Sequence, residues 1–376
     1  MNNMKKPHIL FLVICVIIVG CKTGNNQDDI EYGCIDTLSV QEPVDSLCPQ
    51  YVKDITYIRL EDSNKHIISE VAKVEVNKDK FFFYNRLAHR INVYSHSGQF
   101  LFEINHRGNG NKEYMEIANY TVDDQYIYII DNVKNQVVIY SALNGEFKEK
   151  RSIPFIAWDM EYLAENEFLF TFLPNNPEGG VAMKQPHGSV WKTDSTFATI
   201  QQEYFPYTDK YYEMVGKNYY FTKNDKNVVF HSYQKNAIFL FKEHNDYPQC
   251  INVVLPKPTP TGKYISFDDV IKQDYTYLSA TPFVIEKYIA FEMGKGAYSE
   301  TYLMDRKEKS VVTTPEENSH NALLSPSAII DNKFVAYLSD FDLYEELVLY
   351  GFQKADNETE TILKEGGACL IVYSMK

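Results

Sequence analysis

Three histidines, His89, His96 and His106, stand close together in the chain, and three imidazoles could share a metal ion. Their spacing matches no recognised ligand set. They fall near strand ends and turns, so they read as solvated loop residues and no metal is expected. Acidic pairs occur at Asp123-Asp124, Asp268-Asp269, Asp340/Asp342 and Glu345-Glu346. General acid–base work needs two carboxyl groups roughly 5–10 Å apart across a substrate. Neighbours on a strand point to opposite faces, so Asp123 and Asp124 do not converge. Tyr207, Tyr211, Tyr212, Tyr219 and Tyr220 form a dense aromatic group in a polar stretch. Their flat apolar faces and hydroxyls suit stacking on a sugar or a peptide. No Gly-x-Ser-x-Gly, His-Glu-x-x-His or P-loop pattern is present. Gly108-x-Gly110 lacks the following helix that a phosphate cradle needs, and reads as a turn. No catalytic residue and no cofactor are assigned.

The elements that carry these residues repeat. Period-two alternation and β-branched or aromatic runs dominate from Ile55 onward. Val74-Glu75-Val76-Asn77 returns 46 residues later as Tyr120-Thr121-Val122-Asp123. Phe81–Asn85 returns as Ile127–Asp131, and Ile91–Ser95 as Val137–Ser141, at the same offset. Ser97-Gly98-Gln99-Phe100 answers Asn144-Gly145-Glu146-Phe147, with glycine at the tight position of a hairpin turn. Tyr288–Phe291 and Phe334–Tyr337 are again 46 apart, and weaker copies surround Phe168–Phe172 and Val228–His231. A four-stranded unit at this period marks a β-propeller blade.

Ile55 to Lys376 is 322 residues, or seven periods of 46. Discounting insertions at Pro174–Gly188, Pro256–Gly262 and Asp342–Lys354 favours six blades, with seven as the alternative. The last insertion puts Leu343, Leu347 and Tyr350 on one face and reads as a short surface helix capped by Asp340 or Asp342. Ile371–Ser374 has no strand after it and Ile55–Leu60 none before it, so the two are expected to share a blade and close the ring. Asn85 and Asp131 end matching strands and could reach a ligand in the channel. Turn or inter-blade hydrogen bonding is the plainer reading. They join the five tyrosines as candidate ligand contacts.

Several segments resemble the six-bladed, NHL/TolB-like propeller lipoproteins of Bacteroides-type bacteria. These are Ile58-Arg59-Leu60-Glu61, Ile91–Ser95, Gly98-Gln99-Phe100-Leu101, Leu370–Tyr373 and Gly108-Asn109-Gly110-Asn111-Lys112-Glu113-Tyr114. The last is similar to that family's Gly-x-Gly-Pro-Gly-Glu-Tyr turn, with Asn111 and Lys112 replacing Pro and Gly. The resemblance implies a fold and an envelope location, and lends no catalytic residues.

The N-terminus fits that location. Lys5 and Lys6 precede an apolar run from Ile9 to Val19, which is too short to span a bilayer and reads as a secretory signal. The run ends Ile18-Val19-Gly20-Cys21, which resembles a bacterial lipobox. Residues 1–20 are therefore expected to be a signal peptide, residues 21–54 a lipidated tether, and residues 55–376 the propeller. Lipid on Cys21 would anchor the protein to a membrane. Lys5 and Lys6 leave with the signal, so 35 basic groups face 51 acidic ones, a charge of −16. That balance excludes nucleic acid as a partner. It also disfavours lying flat on anionic lipid, so the body is expected to stand off on its tether. Lys22-Thr23-Gly24 follows Cys21 where surface-displayed lipoproteins carry an acidic run, which favours an outer membrane and the periplasmic side, with surface exposure as the alternative. Cys34, Cys48, Cys250 and Cys369 allow three pairings. A Cys34–Cys48 staple and four unpaired thiols are the two readings weighed. The leading functional expectation is a non-catalytic binding or scaffold module for an envelope protein. A glycan or small-ligand receptor comes next, and a propeller hydrolase or lyase with a channel metal last.

Overall fold

The computed structural model describes residues 32–376 except 42–43, 46–49, 62, 64, 67, 69, 173–185, 207–216, 218, 233–234, 261–264, 297 and 314–323. Three strands come first: β1 (Cys34–Ser39), β2 (Val44–Asp45) and β3 (Val52–Arg59). The first blade follows as β4 (Val71–Val76), β5 (Lys80–Asn85), β6 (Arg90–Ser95) and β7 (Phe100–Ile104). The second is β8 (Asn119–Val122), β9 (Tyr126–Asp131), β10 (Gln136–Ser141) and β11 (Phe147–Ser152). The third is β12 (Asp159–Ala164), β13 (Glu167–Thr171), β14 (Gly188–Thr193) and β15 (Ile200–Pro206). The fourth is β16 (Phe221–Lys223), β17 (Val228–Ser232), β18 (Ala237–Phe241) and β19 (Gln249–Val254).

In the fifth blade the innermost strand is split into β20 (Thr276–Leu278) and β21 (Phe283–Val284). Both pair with β22 (Tyr288–Lys295), and β23 (Tyr298–Asp305) and β24 (Val311–Thr313) follow. The sixth has β25 (Ala328–Ile330), β26 (Lys333–Leu338), β27 (Cys369–Met375) and β3. The ring has six blades, and seven is excluded. The strand copies read from the sequence fall on the first, second or third strand of a blade, and the two glycine turns join the third strand to the fourth. Apolar faces of adjacent blades pack together: Phe82, Ile91 and Val93 of blade 1 meet Tyr120, Ile127 and Ile129 of blade 2.

The ring closes where expected. β27 pairs with β3 antiparallel, with Ile371 opposite Tyr57 and Tyr373 opposite Ile55. The stretch read as a tether needs correction from Tyr32 onward. Within it, β1 adds to β19 in parallel and β2 adds to β24 in parallel. Both cover outer edges that would otherwise present unpaired backbone groups. Arg306 Nε donates to Asp36 Oδ2 at 3.0 Å, and Lys309 pairs with the other oxygen, pinning β1 to blade 5. Burial works against the Asp36 carboxylate, but hydrogen bonds from Lys309, the Thr37 N–H and Arg306 hold it below its ordinary range. The Cys34–Cys48 staple is also corrected: Cys34 is bonded to Cys250, across 216 residues of sequence. The physical reason is the β1–β19 register, which sets these two residues opposite each other. Cys48 lies outside the described residues.

Helices occupy insertions. α1 (Phe267–Lys272) begins at Ser266, whose hydroxyl accepts from the Asp269 N–H and donates to the Asp269 carboxylate at 2.6 Å. The Asp268-Asp269 pair is thus helix-start chemistry. α2 (Phe341–Leu349) is the expected helix and Asp340 is its cap. It is not simply on the surface: Tyr344 and Leu347 are buried in the core shared with blade 6. α3 (Asn357–Lys364), capped by Asp356, follows it and has no counterpart among the elements expected from sequence.

Gly98 shows how tightly blade 6 meets blade 1. Its φ is +84° and an added Cβ would stand 1.8 Å from the Arg59 carbonyl oxygen of β3. Its own carbonyl accepts from the Glu61 N–H at 2.8 Å. Gly98→Ala is expected to lower stability by roughly 1–3 kcal/mol through strain and displacement of β3. The urea midpoint measures this, and an unchanged midpoint would contradict the close approach.

Candidate functional site in the ring channel

The inner strands set charged residues at alternate positions, which brings them to the ring axis. Lys73 and Glu75 come from β4, Asp159 and Glu161 from β12, and Lys223 from β16. All but Lys223 are buried, with Asp159 and Glu161 0% exposed. Lys73 Nζ lies 2.8 Å from Glu75 Oε1, 3.3 Å from Asp159 Oδ1 and 3.2 Å from Glu161 Oε2. It also donates to the Tyr120 carbonyl at 3.0 Å. Lys223 Nζ is 3.3 Å from Glu161 Oε1 and donates to the Tyr162 carbonyl at 2.8 Å. Thr121, the repeat partner of Glu75, donates to Glu161 Oε1 at 2.6 Å.

Protonation follows from this geometry. Asp159 accepts from Met160 N–H and Lys73 on one oxygen and from Tyr220 and Phe221 N–H on the other. Donors on both oxygens leave no acceptor for a proton of its own, so it is a carboxylate. Burial raises it, and Lys73 and those N–H groups offset part of the rise. Burial would also raise Glu161, but Lys73 and Lys223 hold it below the ordinary range. Burial would lower Lys73, yet Asp159, Glu75 and Glu161 keep it well above. Glu75 takes the remaining proton: burial, then the facing Glu161 carboxylate, push it up to about 8. Its carboxyl hydrogen-bonds Glu161. Near neutrality Lys73 is therefore an ammonium, Asp159 and Glu161 are carboxylates, and Glu75 carries a proton.

This sets a pH dependence. Unfolded, Glu75 titrates near its ordinary value of 4.5, and folded at about 8. Between those values the folded state keeps a proton that the unfolded chain has released, so stability falls as pH rises through the window. His231 in β17 acts oppositely, since burial pushes its imidazole from 6.5 down to about 3. Its contribution is lost as pH falls from 6.5 towards 3. Glu75→Gln is expected to flatten the decline between pH 4.5 and 8 and leave the acid side unchanged. Denaturant unfolding across pH measures both slopes; a decline that persists in Glu75→Gln would refute the assignment.

A cavity of about 420 Å³ opens beside this network, at the end of the ring carrying each blade's first turn. A second of about 1140 Å³ lies over blades 2 and 3 at the same end, and Lys223 borders both. The turns there use one device. Asn77 and Asp123 each accept two backbone N–H groups, and Asn77 donates across to the Asp123 carbonyl at 3.1 Å. Asn224 repeats the pattern towards the Val284 carbonyl.

The residues singled out from sequence divide. Tyr219 is buried and lines the smaller cavity, and Tyr220 contributes the N–H that binds Asp159. Tyr207, Tyr211 and Tyr212 lie outside the described residues. Asn85 and Asp131 sit on second strands, where Asn85 accepts from the Ala88 N–H and Asp131 from the Met115 N–H and the Gln136 amide. His89 and His96 flank opposite ends of β6, and His106 stacks on Tyr140. Among the described residues, no group of three or more His, Cys, Asp or Glu is arranged to hold a metal ion. The Gly108–Tyr114 turn is closed by Glu113 accepting from the Gly110 N–H at 2.7 Å, and Tyr114 is buried between blades 1 and 2. The five channel residues escape sequence reasoning. Their signal is charges two apart inside apolar first strands.

The model of a domain of unknown function, DUF4934, matches residues 35–365. The chain belongs to the DUF4934 family. The match begins inside β1, so the strand laid on blade 4 is part of the DUF4934 domain. Among solved structures, the chain is similar to BF0058 from Bacteroides fragilis, named for its inferred export. The identity is 19% and the TM-score 0.72, over 90% of this chain and 99% of that one. A member of the DUF4221 family from Bacteroides vulgatus has 9% identity and a TM-score of 0.47, over 86% of this chain and 97% of that one. No curated protein matches. The BF0058 likeness bears on the fold and agrees with the six-bladed ring. Among the described residues no helix is long and apolar enough to cross a membrane.

Proposed function

We propose that this DUF4934 protein is an envelope lipoprotein, held by lipid on Cys21 at the outer membrane with its ring facing the periplasm. Its propeller acts as a non-catalytic binding or scaffold module for a protein partner. The channel network carries this reading: Asp159 and Glu161 are committed to Lys73, Lys223, Thr121 and backbone N–H groups. Acids so committed act as keystones of the ring, since acid–base catalysis needs a carboxyl group within reach of substrate. The Cys34–Cys250 bond supports an oxidising compartment. The lipobox-like segment and the acidic balance support a tethered body.

The test is crosslinking of the lipidated protein in native membranes, followed by capture and mass spectrometry. The expected result is an envelope protein recovered in near-equal amount, lost when Cys21→Ser releases the chain from the membrane. Repeated recovery of the chain alone would overturn the scaffold reading.

A further inference from the structure

The smaller cavity has two unlike walls. One side is the charged network, reached at Lys73, Glu75 and Lys223. The other comes from blades 4, 5 and 6, where Tyr219, Phe221, Phe283, Ala328 and Ile330 give an apolar patch edged by Thr222, Asn224 and Ser327. Tyr219 and Phe283 have ring centroids 6.1 Å apart. The volume of about 420 Å³ suits a small molecule.

The charges decide which kind. Glu75, Asp159 and Glu161 outnumber Lys73 and Lys223 by one when all are ionised. The rim adds Asp225 and Asp331 against Lys78, which pairs with Asp124 at 3.4 Å. His96, the hydroxyls of Tyr120, Tyr162 and Tyr219, and Glu292 beside Tyr219 also stand around the network. With its proton on Glu75 the network balances, and without that proton it is one positive charge short. The space is also bordered by aromatic rings, which attract cations through their faces.

We propose that the cavity binds a small organic amine, whose ammonium group supplies the missing positive charge while its apolar body lies against Phe221, Phe283 and Ile330. The exchange balances simply. The ammonium enters beside the Glu75 carboxyl, the carboxyl O–H bond breaks, and the proton leaves to solvent. No covalent bond forms to the ligand. An anionic ligand would meet Glu75, Asp225 and Asp331 and gain no such exchange.

The test is calorimetric titration of the detergent-solubilised full chain with phenethylamine, and with phenylacetate as its anionic counterpart. Measurements run from pH 6 to 8.5 in two buffers of different protonation enthalpy. Phenethylamine is expected to bind at least about tenfold more tightly than phenylacetate, with release of up to one proton per amine at pH 7. Its affinity should rise by up to about tenfold per pH unit below the Glu75 transition and level above it. Glu75→Gln, which keeps the neutral shape, should abolish the proton release and weaken binding by about tenfold or more. Equal binding of phenylacetate, no binding of phenethylamine at millimolar concentration, or binding without proton release would each overturn the proposal. Should Glu75→Gln fail to fold, the selectivity and proton count of the unmodified protein decide it.

Discussion

Lys73→Met is expected to destabilise the ring by about 3–5 kcal/mol, the range for breaking a buried ion pair by removing one partner. Lys73 donates to three carboxyl groups and a backbone carbonyl from blades 1, 2 and 3. Methionine fills much of the same volume but leaves Lys223 as the single cation beside Asp159 and Glu161. Those two carboxylates come from one strand and would then repel each other in a site with little water. The loss should shrink in acid, because protonation relieves the unpaired carboxylates in the folded state. Lys73→Met with Glu161→Gln should recover at least about 1 kcal/mol over the single variant, since neighbours in one network couple. Guanidinium unfolding at pH 7 and pH 5 measures all of this. A loss below about 1 kcal/mol at pH 7 would show that the network contributes little to holding the blades together.

The ring is legible in the amino-acid sequence because its driving forces are local and repeated. Each blade's second strand is an apolar run, and the 46-residue offset by itself aligns Phe81–Asn85 with Ile127–Asp131. The closure of β27 on β3 follows from two strands lacking sequence neighbours. The β1 and β2 strands are hidden for the opposite reason. Their partners are distant in sequence, and a lone strand of six residues such as Cys34–Ser39 has a weak pattern, with only Leu38 buried. The channel is hidden by a different effect. Charged residues in a strand ordinarily mark a solvated face, whereas Lys73 and Glu75 are 5% exposed because a closed ring turns its inner face away from water. Only convergence of three blades makes such residues partners, and convergence is a property of the closed ring. Tyr219 and Tyr220 stand out by aromatic density, yet Tyr220 reaches the network through its backbone N–H, which composition does not reveal.

Cys34→Ser is expected to lower stability by about 2–4 kcal/mol, the typical contribution of a disulfide. The bond spans 216 residues, so the unfolded chain regains a large loop when it is removed. The folded state also changes. The β1 strand adds to β19 with a shift in register directly after Cys34, so the bond holds the start of β1 where its pairing is irregular. Farther along, Leu38 packs in the core of blades 4 and 5 and Asp36 holds Arg306 and Lys309. Loosening should therefore start at Cys34 and stop near Asp36, giving faster amide exchange at Cys250, whose N–H is held by the Gly33 carbonyl, while β3 stays protected. Thermal unfolding with and without reductant, alongside hydrogen exchange, tests both parts. An unchanged midpoint after complete reduction, confirmed by thiol titration, would contradict the first; uniform exchange through β1 and β3 would contradict the second. The two closures differ in chemistry. The β3–β27 pairing is made of backbone hydrogen bonds and forms in any compartment, whereas the β1 attachment gains its covalent lock only where thiols are oxidised. Cys369, buried in the closing strand with its thiol pushed up to about 12, stays an inert core residue under either condition. The difference in stability between reduced and oxidised protein thus measures how far this fold depends on an oxidising surrounding.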